Sequence, residues 1–183
     1  MTVDLDRTAL VALFDALAAK CEQRGVRAEL FVVGGAAMAL AYSTTRATKD
    51  LDAVFEPKEI VYQLASEVAA ESTLDLPGDW LNDGVKSFLP GPDPSASVAY
   101  ERPGLTVRVA SPRYLFTLKS LAAREADEED LLVLFRECGY GSASEALEDV
   151  AVAYPAQPIR PATQYLVEEV AGAVLGGRED DAG

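Results

Sequence analysis

The sequence predicts a mixed α/β (α+β) protein: a small mixed β-sheet core with helices, followed by a helical C-terminal part. Three observations carry this. Short β-branched or alternating runs such as Glu29-Leu-Phe-Val-Val33 and Asp50-Leu-Asp-Ala-Val-Phe55 sit between helical patterns in the first part of the chain. From Ser111 onward the apolar spacing is helical throughout. The length of 183 residues, 49% hydrophobic and 25% charged, suffices for a well-buried core and is far from a disordered composition. The expected divisions are a core over 1–110, a helical part over 111–176 and a disordered Gly/Asp tail over 177–183.

Taken in order, Leu10, Leu13, Phe14 and Leu17 recur at helical spacing, which predicts a helix over 6–24 ending at Gly25. Glu29 to Val33 reads as a buried strand. After Gly34-Gly35, the Ala-, Leu- and Met-rich run 36–42 turns straight into a helix. Asp50 to Phe55 alternates acidic and apolar residues, as a strand with one wet face does. Pro57 then opens a helix carrying Ile60, Val61, Leu64 and Val68. Residues 73–96, with five prolines and glycines clustered at 77–78 and 90–92, are the least regular stretch. Tyr100 and Leu105–Val109 pair as a hairpin across Arg102-Pro-Gly104. Ser111-Pro112 caps a helix through Leu121, and a second runs from Asp127 to Cys138 before Gly139. Ser142 with Glu145 is a capping-box signature for a third, and 161–175 forms the last.

Histidine is absent, which excludes a Ser-His-Asp triad, a Cys-His pair and every His-ligated metal site. Cys21 and Cys138 are too few for a thiolate cluster and read as reduced core thiols. Any chemistry must run on carboxylates, Lys, Arg, hydroxyls and backbone amides, with an oxygen-ligated metal at most. The net charge of −14 disfavours binding nucleic acid or anionic membrane through the overall field. Basic residues nevertheless concentrate in the middle of the chain, from Arg46 to Arg124, so a local basic cleft is compatible with the composition. No apolar run reaches a membrane-spanning length and no signal pattern opens the chain, which reads as cytoplasmic with no membrane partner.

Asp50 and Asp52 are the first chemical signal. Two residues apart on a strand, they present two carboxylates on one face, which either solvate an edge or share a proton or a divalent cation. Mg²⁺ suits such a pair, since it takes one or two carboxylates together with phosphate oxygens and water. Just upstream, a strand, Gly34-Gly35 and a helix place backbone N–H groups and a helix dipole at one spot, as a phosphate cradle or a plain turn. Lys119 lies on a helix otherwise made of apolar residues, so its ammonium snorkels out or faces an anion. In one unbroken helix Asp130 would lie about 16 Å along from Lys119, so the two converge only if the chain breaks near Arg124–Ala126. Asp127 reads as an N-cap, and Asp130 either as part of the acidic first turn behind it or as a functional acid.

In this order, Val33-Gly-Gly-Ala-Ala-Met-Ala-Leu40 followed by Thr45-Arg-Ala-Thr-Lys-Asp-Leu-Asp52 resembles the first motif of the polymerase-β-like nucleotidyltransferases. With Lys119, Arg124, Asp127 and Asp130 the pattern resembles more narrowly the AbiEii/MenT-type nucleotidyltransferase toxins, over about residues 30–135. Trp80-Leu-Asn-Asp-Gly-Val-Lys86 resembles a segment of their small relatives. The resemblance implies a nucleotidyltransferase core over 1–110, with 111–176 completing the active site. It implies that Gly34 and Gly35 hold the phosphates of a nucleoside triphosphate, that Asp50 and Asp52 bind Mg²⁺ (or Mn²⁺), that Lys119 meets the triphosphate and that Asp130 completes the catalytic set. Arg46 and Lys49 flank the motif, as phosphate or acceptor contacts or as solvated loop charges. One departure is that Leu105–Val109, the candidate strand for a third carboxylate, has no acid.

The expected activity is therefore Mg²⁺-dependent transfer of NMP from an NTP. The resemblance alone implies the 3′ end of tRNA as acceptor, a toxin role and a cognate antitoxin as partner. Two alternatives stand beside it: transfer to a protein or an aminoglycoside-like small molecule, which the acidic composition suits, and a nucleotide-binding module without turnover.

Overall fold

The sheet is laid around one strand, β1 (Ala28–Val32), whose Ala28, Leu30 and Val32 are buried while Glu29 faces out. The structure, a computed structural model, describes residues 4–43 and 45–180. It falls into two units, one of residues 1–87 and 95–110, the other of residues 88–94 and 111–183.

The first unit holds a five-stranded mixed sheet of order β3-β2-β1-β5-β4. β2 (Leu51–Glu56) runs antiparallel to β1, with Val32 opposite Ala53. β5 (Leu105–Val109) lies parallel to β1 on its other side and forms the expected hairpin with β4 (Ser97–Arg102). β3 is only Leu81–Asn82, parallel to β2. This strand falls inside the stretch that read as irregular, because two residues are too short to show any period. Helix α1 (Arg7–Arg24) starts where the Asp6 carboxylate accepts the Ala9 N–H at 2.8 Å and ends at Gly25, whose φ of +63° is left-handed. Its buried stripe of Leu10, Leu13, Phe14 and Leu17 is the one the spacing predicts. Helix α2 (Gly34–Ala37) passes directly into a π turn, Met38–Tyr42, closed by the Ser43 N–H on the Met38 carbonyl at 2.8 Å. α3 (Lys58–Glu71) buries Val61, Leu64, Ala65 and Val68. Trp80 is fully buried and its indole N–H donates to the Ala65 carbonyl at 2.9 Å, which pins the β3 segment to α3.

The second unit is helical: α4 (Pro112–Ala122), α5 (Glu128–Cys138), α6 (Ala143–Ala153) and α7 (Pro161–Asp180). Phe116, Phe135 and Tyr140 form its aromatic centre, with ring centroids 5.1–6.1 Å apart. Ser111 caps α4 and is itself held by Asp93, its N–H and hydroxyl donating to the two carboxylate oxygens at 2.7 and 3.1 Å. Ser142 caps α6, and Glu145 reaches back to the Gly141 N–H at 2.9 Å.

Two expectations are corrected. α7 continues through 177–180, where a disordered tail was expected, and 181–183 lie outside the described residues. Glycine weakens a helix by only about 1 kcal/mol relative to alanine, so Gly176-Gly177 does not end one of 20 residues. Asp50 also lies outside its expected strand, since β2 begins at Leu51, whose N–H enters the sheet at the Trp80 carbonyl. Among the described residues no helix is long and apolar enough to cross a membrane.

Both cysteines are unpaired, and burial raises both thiols, Cys138 to about 11. We expect neither to react with a disulfide thiol reagent at pH 8 in the native protein, and both to react in denaturant; titration of native thiols with that reagent checks this.

Candidate functional site

In the first unit the site is built where β1 ends and β2 begins. The Val33 N–H donates to the Asp52 carbonyl at 3.0 Å, so the antiparallel ladder delivers Asp52 to the position opposite the Gly34 turn. Gly34 has φ +64°, and a Cβ built on it would lie 3.2 Å from Asp52 Oδ2. Gly35 is tighter still, because a Cβ there would meet Thr48 Oγ1 at 2.8 Å. Glycine is needed at both positions: at Gly34 for the left-handed backbone and at Gly35 for the close approach. β2 alternates buried Leu51, Ala53 and Phe55 with half-exposed Asp52 and Val54, so Asp52 stands on the open face.

The loop before β2 is tied from two sides. Leu5 and Thr48 form an isolated antiparallel bridge, with N–H to carbonyl distances of 2.6 and 3.0 Å. The Thr48 hydroxyl donates to the Asp50 carbonyl at 3.1 Å and lies 3.5 Å from its carboxylate. That local turn explains why Asp50 stays out of the strand: its carbonyl is bonded to Thr48 rather than to a ladder partner. Strand alternation therefore places Asp52 but not Asp50, which is exposed one residue ahead of the sheet. Arg46 is half-buried in this loop and Lys49 is exposed. The Arg7 guanidinium donates to the Leu40 carbonyl at 2.9 Å, satisfying an acceptor at the π turn that follows the glycines.

Thr48 and Asn82 are two residues that the sequence reading did not assign to the site. Asn82 is the register partner of Asp52 across the parallel β2–β3 pair. The following residue anchors it. Asp83 receives Lys58 Nζ at 2.5 Å and the Tyr62 hydroxyl at 2.6 Å, and these two bonds, Lys58 first, hold its carboxyl below the usual range. Both lie within the motifs Thr45–Asp52 and Trp80–Lys86, but only the tertiary structure shows that Thr48 lies against Gly35 and that Asn82 pairs in register with Asp52.

The second unit contains Lys119 and Asp130. α4 ends at Ala123, whose φ of +48° is left-handed, and a short 3₁₀ turn, Glu125–Asp127, leads into α5. The break that convergence requires is therefore present. Lys119 Nζ lies 2.5 Å from Asp127 Oδ1 and 2.9 Å from Asp130 Oδ2, and all three side chains are at least 87% buried. Asp127 is corrected from its expected role: its side chain makes no capping bond to α5 and is spent on the lysine instead. An ion pair to a buried ammonium is stronger than a solvated cap, so the lysine wins the carboxylate.

Among the described residues no group of three or more Asp, Glu or Cys side chains gathers as a metal cage. Asp52 and Asp50 are the carboxylates that fit an oxygen-ligated cation of the Mg²⁺ kind, which takes its remaining ligands from phosphate and water. The Gly34 turn, which a side chain would fill, is where such a phosphate can come close to Asp52.

Residues 8–87, less than half of the chain and all within the first unit, match the model of a family described as nucleotidyltransferase of unknown function (DUF6036). No curated protein matches the chain. Among solved structures, it is similar to an antigenic nucleotidyltransferase-like protein from Paracoccidioides brasiliensis, with 15% identity and a TM-score of 0.39 over 97% of this chain and 92% of that one.

Removing the ammonium from the buried triad leaves two carboxylates without their cation. We expect Lys119→Met to lose about 3–5 kcal/mol of stability, and urea unfolding followed by circular dichroism checks it. A loss below about 0.5 kcal/mol would mean that the three charges are solvated.

Proposed function

We propose that the protein is a Mg²⁺-dependent nucleotidyltransferase that moves NMP from an NTP to the 3′ end of tRNA, as the toxin of a toxin–antitoxin pair. The single observation that supports the transfer chemistry is the apposition of the Gly34 turn to the Asp52 carboxylate, 3.2 Å from the place of a Gly34 Cβ. Such an arrangement lets a polyphosphate lie against bare backbone with a carboxylate beside it. The family match over 8–87 supports the class. The acceptor, the toxin role and the antitoxin rest on the resemblance of Arg46-Ala-Thr-Lys-Asp-Leu-Asp52 and Lys119…Asp130 to the AbiEii/MenT-type toxins.

In this reading Asp50 and Asp52 hold Mg²⁺, which when bound offsets the charge that develops on the departing pyrophosphate. Gly34 and Gly35 orient the phosphates through backbone alone, and Thr48 keeps the loop under Gly35 in place. Arg46 and Lys49 supply local positive charge on a chain whose net charge is −14, so the basic cleft for tRNA is confined. For Lys119 and Asp130 the assignment follows the order of motifs. Lys119 meets the triphosphate only by exchanging a carboxylate of its triad for a phosphate oxygen, and both are oxyanions.

Label transfer from each α-³²P NTP with Mg²⁺ and total tRNA tests this directly. We expect label on tRNA with the wild type and none with Asp52→Ala. Label on protein or on an aminoglycoside instead would reassign the acceptor, and NTP binding without any transfer would reduce the protein to a nucleotide-binding module. In the same assay we expect Gly34→Ala to fall by tenfold or more, because it forces a non-glycine residue to φ +64° and pushes Asp52 Oδ2 aside. Wild-type transfer by that variant would show that the close approach is not used.

A further inference from the structure

The element beside Asp52 on the open edge of the sheet is β3, and its geometry carries more than a structural role. In a parallel pair, register partners present their side chains on the same face, one strand spacing of about 4.8 Å apart. Asp52 and Asn82 are such partners, and so are Leu51 and Leu81. Burial confirms the assignment of faces: both leucines are buried, and both polar residues are half-exposed on the opposite side. The Asn82 amide thus stands next to the Asp52 carboxylate, on the face where the Gly34 turn meets it.

The two ends of that amide are not equivalent. Asn82 Oδ1 accepts the Gly84 N–H at 3.1 Å, and a backbone N–H can be accepted only by the oxygen. The oxygen is therefore committed to the turn, and the turn is fixed by Asp83 through Lys58 and Tyr62 and by the Trp80 indole. What remains is an NH₂ group with no hydrogen bond to any described residue. An NH₂ group cannot ligate a cation. It can only donate, and beside a carboxylate that would hold a cation the matching acceptor is an anionic oxygen.

We propose that Asn82 is a substrate-binding residue, donating through Nδ2 to a phosphate oxygen of the nucleoside triphosphate. This rests on the nucleotidyltransferase reading above and adds a contact that does not pass through the metal. It also gives the Trp80–Lys86 segment its purpose: Trp80 and Asp83 act as positioning residues that hold a rigid turn, and Asn82 is what the turn presents.

The test is Asn82→Asp, with Asn82→Ala beside it. The Asp variant keeps an oxygen to accept the Gly84 N–H, so the turn and the fold survive, but it replaces the donor by a negative charge. Affinity for each of the four NTPs is measured by calorimetry on the full chain, with Mg²⁺ and again with EDTA. We expect Asn82→Ala to weaken binding roughly tenfold to a hundredfold under both conditions, the size of a lost hydrogen bond to a charged group, and Asn82→Asp to weaken it further, because it adds a negative charge opposite the phosphate. If Asn82→Asp binds as well as or better than the wild type with Mg²⁺, the position is a metal-ligand position or an idle one, and the proposal is overturned while the nucleotidyltransferase reading stands. If the wild type binds no NTP, both fall together.

Discussion

Everything in the sheet unit that concerns the candidate site depends on one close approach, that of the Asp52 carboxylate to the backbone of Gly34. It exists because β1 and β2 are antiparallel neighbours: the end of one strand and the start of the next come to the same edge, and the Val33–Asp52 hydrogen bond sets their register. A side chain at residue 34 would have to share space with the carboxylate and adopt a left-handed backbone. The glycine is thus required twice over, by geometry and by conformation. Around this point the chain spends its local interactions on holding loops still. Leu5 bridges Thr48, Arg7 satisfies Leu40, and Trp80 fastens the β3 turn.

The helical unit is governed by a different constraint, the burial of charge. A buried lysine ammonium costs several kcal/mol to desolvate unless it is met by oxygen, and here two aspartates from beyond a helix break meet it. The break is what makes that possible. Had α4 continued, Asp127 and Asp130 would have been carried down the axis at 1.5 Å per residue, out of reach. Ala123 takes a left-handed conformation with no glycine to ease it, and the ion pairs formed across the turn offset that strain. The triad has one positive and two negative groups, so it is an anionic site with a cation at its centre. Such a lysine is held at one place by its two ion pairs, and it is a stability element. A loss of activity at Lys119 has therefore to be read beside a measurement of folding.

Much of the fold was legible because each long element advertises itself. The α1 stripe, the Ser111-Pro112 and Ser142/Glu145 caps, and the hairpin over Arg102–Gly104 all follow from patterns a few residues apart. Asp50 was misplaced because alternation shows a strand without showing where it starts. The start was decided by Thr48, whose hydroxyl bonds the Asp50 carbonyl before the ladder can. Asp127 was misread because an aspartate before a helix is most often a cap, and only the position of Lys119 reveals a stronger competitor for its carboxylate. Glycine at the end of a helical pattern is a stop signal, yet its cost is small against a helix that already buries Val167, Val170 and Val174, so the C-terminal helix runs past Gly176-Gly177.

By itself the sequence determined the chemical repertoire. With no histidine and only two cysteines, reactivity is centred on carboxylates, amines, hydroxyls and backbone, and the paired glycines and Asp50-x-Asp52 are the short patterns in which such groups gather. These are properties of residue type and short spacing, which the chain carries whatever its fold. Tertiary structure alone decided which of those groups meet: that Asp52 and not Asp50 enters the sheet, that Asn82 stands in register beside it, and that Lys119 is held by two aspartates. The reason is physical. Sheet register and ion pairing are chosen by competition among groups far apart in sequence, and the winner depends on distances that no local pattern contains.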